Sequence, residues 1–91
     1  MSVTIAVRVF GSETLVALIR YYWTSPGSQQ DAATTLDIPN QLVSTNTRLL
    51  LDAGVVIADP PARGRRPGRY VVDQDRVHHL LEALRRYSIP E

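Results

Sequence analysis

The sequence predicts an α+β fold in a single domain spanning residues 1–91. Three observations carry that expectation. A period-two run of β-branched residues opens the chain, three helix-like segments follow between 13 and 53, and two short β-branched runs then flank an arginine-rich loop. A chain of 91 residues is one domain or one protomer, not two domains. At this length it buries roughly 60–65% of its unfolded surface, so the core is modest. With no cysteine there is no disulfide framework, thiolate zinc site or cysteine nucleophile. The longest unbroken aliphatic run is Leu15-Val16-Ala17-Leu18-Ile19, far below the roughly 20 residues of a membrane span. The opening residues lack the basic start and long apolar stretch of a signal peptide, so a cytoplasmic location is expected.

The elements are expected in the following order. Val3, Ile5, Val7 and Val9 alternate with Thr4, Ala6, Arg8 and Phe10, which predicts a strand at 3–9, with a short helix as the alternative. Gly11 breaks that segment and Ser12 is a good N-cap. Leu15, Leu18, Ile19, Tyr22 and Trp23 then fall at helical spacing over 13–23. Ser25-Pro26-Gly27 is a turn, and Ser28 with Asp31 resembles a capping box for a short helix ending near Leu36. Asp37-Ile38-Pro39 is a tight turn, because a residue before proline avoids helical geometry. A third helix runs from Pro39 or Asn40 to Ala53, with Gly54 as its stop. Residues 55–58 and 69–72 read as strands, joined by a Pro- and Gly-rich loop over 59–68. Asp73 caps a last helix over 74–87, with Val77, Leu80, Leu81 and Leu84 as its apolar residues.

Strand, three helices, two-stranded basic wing and C-terminal helix together describe a winged helix-turn-helix. The charge distribution agrees. Residues 1–58 carry three arginines against four acids, and residues 73–91 do the same. Residues 59–72 carry Arg63, Arg65, Arg66 and Arg69 against Asp59 alone. All ten basic residues are arginine.

The stretch Phe10-Gly11-Ser12-Glu13-Thr14-Leu15-Val16-Ala17-Leu18-Ile19 resembles the opening helix of ArsR-type bacterial repressors. Leu36-Asp37-Ile38-Pro39-Asn40-Gln41-Leu42-Val43-Ser44 resembles their turn and the start of their recognition helix. Leu50-Leu51-Asp52-Ala53-Gly54-Val55-Val56 is similar to their entry into the wing. The resemblance spans about residues 10–87, and MarR-like, phage and plasmid regulators share the same skeleton. This chain departs from the ArsR pattern in having Leu15 where arginine is usual and Asp37 where the turn usually has glycine. Its Pro-Pro wing is also longer.

On a helical wheel of the third helix, Leu42, Val43, Thr47, Leu49, Leu50 and Ala53 form a broad inner face. Gln41, Ser44, Thr45, Arg48 and Asp52 point away, Asn40 opens the helix, and Leu51 lies near the outward side. Amide and hydroxyl side chains with one arginine suit a DNA major groove, where they pair with base edges and phosphates. Arginines at a flexible wing tip suit the minor groove and phosphates, and four such contacts give a log–log salt slope of roughly −3 to −4. The expected DNA-contacting set is therefore Asn40, Gln41, Ser44, Thr45, Arg48, Arg63, Arg65, Arg66 and Arg69.

Two further groups of side chains have chemistry of their own. Asp75 with His79, and His78 with Glu82, are i,i+4 neighbours on the last helix. Some ArsR-type sensors bind metal on this helix, but two or three ligands do not close a site within one protomer, so a solvated helix face is expected. Tyr21, Tyr22, Trp23, Tyr70 and Tyr87 are expected to cover the core or form a dimer seam. There is no glycine-rich phosphate loop, no lysine, and no nucleophile placed beside a base, so neither an enzyme nor a cofactor is expected.

The leading expectation is a sequence-specific, DNA-binding transcriptional regulator acting as a homodimer on double-stranded DNA, with repression as the simplest output. Either terminal element, 3–9 or 74–87, is expected to form the dimer interface. The alternatives are a winged-helix protein-interaction module and an architectural or recombination DNA-binding factor.

Overall fold

A computed structural model describes residues 2–59 and 68–90. Among them are five helices and one two-stranded antiparallel sheet: α1 (Ser2–Phe10), α2 (Glu13–Thr24), α3 (Gln29–Leu36), α4 (Asn40–Asp52), β1 (Val56–Ala58), β2 (Tyr70–Val72) and α5 (Gln74–Ser88). None of these helices alone is long and apolar enough to cross a membrane.

The expected strand at 3–9 is a helix. As α1, the segment buries Ala6 and Val9 and packs Ile5 and Phe10 against the core, a set at helical rather than alternating spacing. Val7, which alternation would have placed with Val9, is 57% exposed. β-Branched residues cost a helix only a few tenths of a kcal/mol each, and burial against α5 outweighs that. Gly11 then lets α2 leave α1 at 91°. A Cβ at this position would stand 2.5 Å from the Val7 carbonyl oxygen, so the turn excludes any side chain.

Ser12 caps α2, its Oγ accepting from the Leu15 amide at 3.4 Å. The capping box of α3 is complete: Ser28 Oγ accepts from the Asp31 amide at 3.0 Å, and Asp31 Oδ2 accepts from the Ser28 amide at 3.5 Å. Asp37 ends α3 in the left-handed region at φ 54, the conformation that glycine would adopt most easily. Aspartate tolerates it better than most residues do.

In α4, Val43, Thr47 and Leu50 are fully buried. Two sequence expectations need correcting here. Leu42, expected inside, is 44% exposed, while Leu51, expected near the outward side, is half-buried against the core. Both errors have one cause: the buried stripe centres on Val43, Thr47 and Leu50, so Leu42 falls about 100° off it. Gly54 stops the helix at φ +76. Arg76 Nε donates to the Ala53 carbonyl at 2.9 Å, so a cation from α5 caps the negative end of α4.

The strands pair in the register Val56↔Val72, Ile57↔Val71 and Ala58↔Tyr70. The Tyr70 amide also donates to the Gly27 carbonyl at 2.7 Å, which ties the hairpin to the α2–α3 turn. Val55 and Arg69, expected in strands, lie just outside them but keep ladder-like bonds. The Asp73 amide donates to Val55 O at 2.9 Å, and the Asp59 amide donates to Arg69 O at 3.1 Å. Asp73 caps α5 as expected, accepting from the Arg76 amide at 3.1 Å.

The core gathers Leu18, Tyr22, Leu50, Leu80, Val43, Val55 and Val56 from α2, α4, α5 and the hairpin. Thr47 is buried among them, and its hydroxyl meets the Tyr22 hydroxyl at 2.9 Å. Burial pushes the Tyr22 phenol above its usual pKa, with the Thr47 hydrogen bond opposing the shift. Removing one partner strands the other. Tyr22→Phe alone is expected to cost about 1–3 kcal/mol in urea unfolding, whereas Tyr22→Phe with Thr47→Val costs less than the sum of the single changes.

Candidate functional site

The polar face of α4 is the feature that the sequence singled out. Asn40, Gln41, Thr45 and Arg48 are exposed on it, and Ser44 is half-buried at its flank. Pro39 leads into the helix without a side-chain cap. The first-turn amides of α4 therefore lack a capping side chain, in contrast to α2, α3 and α5. Arg48 Nε lies 3.4 Å from Asp52 Oδ1, an i,i+4 pair in open solvent. Such exposed pairs are weak, so Arg48 is readily drawn to another anion.

Ser44, Thr45, Arg48 and Leu51 form one wall of a groove of about 640 Å³. Gln29 from α3, Ala58 from β1 and Tyr70 from β2 border it on the other side. Gln29 Nε2 donates to Tyr70 Oη at 3.1 Å, joining the start of α3 to the hairpin. Tyr70 was expected to cover the core or form a dimer seam, and Gln29 was not singled out from the sequence. Tyr70 is 3% exposed, yet it borders the groove together with Gln29. The two residues are 41 positions apart, and no local pattern links them.

At the loop end of the two strands, next to the Ala58–Tyr70 pair, Arg69 Nε stands 3.4 Å from Asp59 Oδ2. Arg69 thus lies on the hairpin whose strands border the groove. Arg63, Arg65 and Arg66 lie outside the described residues.

The histidine-bearing face of α5 is dispersed among other contacts. The His78 ring meets Trp23 edge-on at 5.9 Å, and His79 Nε2 lies 3.4 Å from Ser2 Oγ. Glu82 accepts from Arg85 at 2.7 Å and from Arg86 at 2.9 Å. No group of three or more potential metal-ligating side chains occurs among the described residues. The hydrogen bonds from Arg85 and then Arg86 hold the Glu82 carboxyl down to about 2, from an ordinary 4.5. A depressed acid contributes its stability above the unfolded-state pKa and loses it as pH falls through the folded value. The Glu82 contribution is therefore expected to be complete above about 4.5 and lost toward about 2. In an NMR pH titration, Arg85→Ala or Arg86→Ala should move the Glu82 midpoint upward.

No protein-family model matches this chain, and no curated protein matches it.

Proposed function

We propose that this chain is a winged-helix DNA-binding regulator whose α4 enters the major groove while the arginine loop grips phosphates and the minor groove. The observation that carries this reading is the groove shared by α4 and the hairpin. Its α4 wall presents Ser44, Thr45 and Arg48, and its other wall is formed by the two strands that the arginine-rich segment connects in the sequence. Base-reading groups and positive charge thus belong to neighbouring elements, which a duplex contacts together. Short hydroxyl and amide side chains fit base edges, and the exposed Arg48 suits the O6 and N7 of guanine.

The reading includes a homodimer, because two half-sites about one DNA turn apart call for two-fold symmetry. Val7, Leu81, Tyr87 and Ile89 are exposed apolar side chains on or just beyond the terminal helices, which is where a second copy would be seated. Val7→Asp combined with Leu81→Asp is expected to yield a monomer by sedimentation velocity with the fold retained by circular dichroism. An unchanged sedimentation coefficient would remove the terminal helices from the interface.

Fluorescence anisotropy against the DNA upstream of its own coding sequence and against a scrambled duplex, at two salt concentrations, tests the function. Tighter binding to the upstream duplex with a steep salt dependence is expected. Equal binding to both would favour an architectural DNA-binding factor. Absence of binding to either at low salt would overturn the proposal in favour of a protein partner.

A further inference from the structure

A second, more enclosed recess is shared by α1, α2 and the C-terminal half of α4. It holds about 260 Å³, with Ile5, Val9, Leu15 and Leu49 as apolar walls. Arg8 and Asp52 also border it, so a cation and an anion flank the same apolar space. They form no ion pair with each other. Asp52 pairs with Arg48, and among the described residues the Arg8 guanidinium has neither ion-pair nor hydrogen-bonding partner.

We propose that this recess binds a small zwitterion with an apolar body, the class represented by aromatic and branched α-amino acids. The ligand carboxylate lies on Arg8, its ammonium on Asp52, and its side chain among Ile5, Val9, Leu15 and Leu49. The size agrees: a dry apolar cavity of about 150 Å³ accepts benzene. The recess thus has room for a phenyl group plus the carbon bearing both charges. Charge selects the class. A simple carboxylate would satisfy Arg8 but face Asp52, and a simple amine would satisfy Asp52 but face Arg8.

The site also has an output, which rests on the DNA-binding reading above. An ammonium on Asp52 competes with Arg48 for the same carboxylate and frees Arg48 for the duplex. The gain in duplex affinity is expected to be about five-fold at most, the limit for releasing an exposed ion pair. Duplex should tighten amino-acid binding by the same factor.

The test is an amide NMR titration of the protein alone with L-phenylalanine, 3-phenylpropanoate and phenethylamine. The expected result is saturable shifts at Ile5, Arg8, Leu49 and Ala53 with L-phenylalanine, at a Kd of about 1 mM or tighter. Each single-charge analogue, and each of Arg8→Gln and Asp52→Asn, should weaken binding about ten-fold. Both substituted side chains are exposed, so the variants keep the fold. Absence of saturable shifts, or equal affinity for the three compounds, overturns the proposal. The titration contains no DNA, so failure here leaves the DNA-binding reading standing. A chain that binds L-phenylalanine but no duplex sustains the site and removes only its link to Arg48.

Discussion

Replacing Arg63, Arg65 and Arg66 together with alanine is expected to lower duplex affinity about 100- to 1,000-fold near 0.1 M salt. Each neutralised phosphate contributes about −0.9 to the log–log salt slope, so three lost contacts flatten it by about 2.7. Affinity should fall by a similar factor on cognate and scrambled duplexes, because phosphate contacts position the protein without reading sequence. Arg48→Ala and Gln41→Ala differ in kind: each should cost about 1–3 kcal/mol on the cognate duplex and far less on the scrambled one. The loop arginines have only Asp59 to offset them within residues 59–72, and Asp59 already pairs with Arg69. An unchanged slope in the triple variant would show that the loop does not touch phosphate.

Leu50→Ala is expected to destabilise the fold by about 2–5 kcal/mol, whereas Leu42→Ala should change it by less than about 0.5 kcal/mol. Leu50 is fully buried beneath α4, and Leu42 is 44% exposed on the same helix. A domain this small has about 5–10 kcal/mol of stability in all, so Leu50→Ala should lower Tm by roughly 10–40 °C. Thermal unfolding followed by circular dichroism compares the two variants directly. Similar losses for both would mean that α4 is rotated toward the broad inner face expected from the sequence. That rotation would also displace Ser44 and Thr45 from their places in the groove wall.

What the sequence made legible follows from how local each signal is. Caps and stops were readable because their partners sit three or four residues away: Ser12, Ser28 with Asp31, Gly54 and Asp73 all perform their expected roles. The hairpin was readable because β-branched runs too short for helices bracket a loop rich in proline and glycine. The first element was not, because alternation over seven or eight residues also fits one face of a short helix. Burial of Ala6 and Val9 against the rest of the fold decides it, and Ala6 carries no period-two signal.

In the candidate site, the exposed faces of Gln41, Thr45 and Arg48 were legible from helical phase. The phase error at Leu42 and Leu51 arose because α4 carries leucines on three sides, and hydrophobicity alone does not choose among them. Gln29 with Tyr70 and the recess between Arg8 and Asp52 depend on how distant elements meet. No spacing rule within the chain encodes either.

The most direct measurement is an amide NMR map of the protein with and without a duplex from its own upstream region. The expected footprint covers residues 40–48, Arg69 and the arginine loop, and leaves Val77 and Leu80 of α5 unperturbed. A duplex footprint centred on α1 and α5, or no footprint at low salt, would contradict a DNA-reading role for α4.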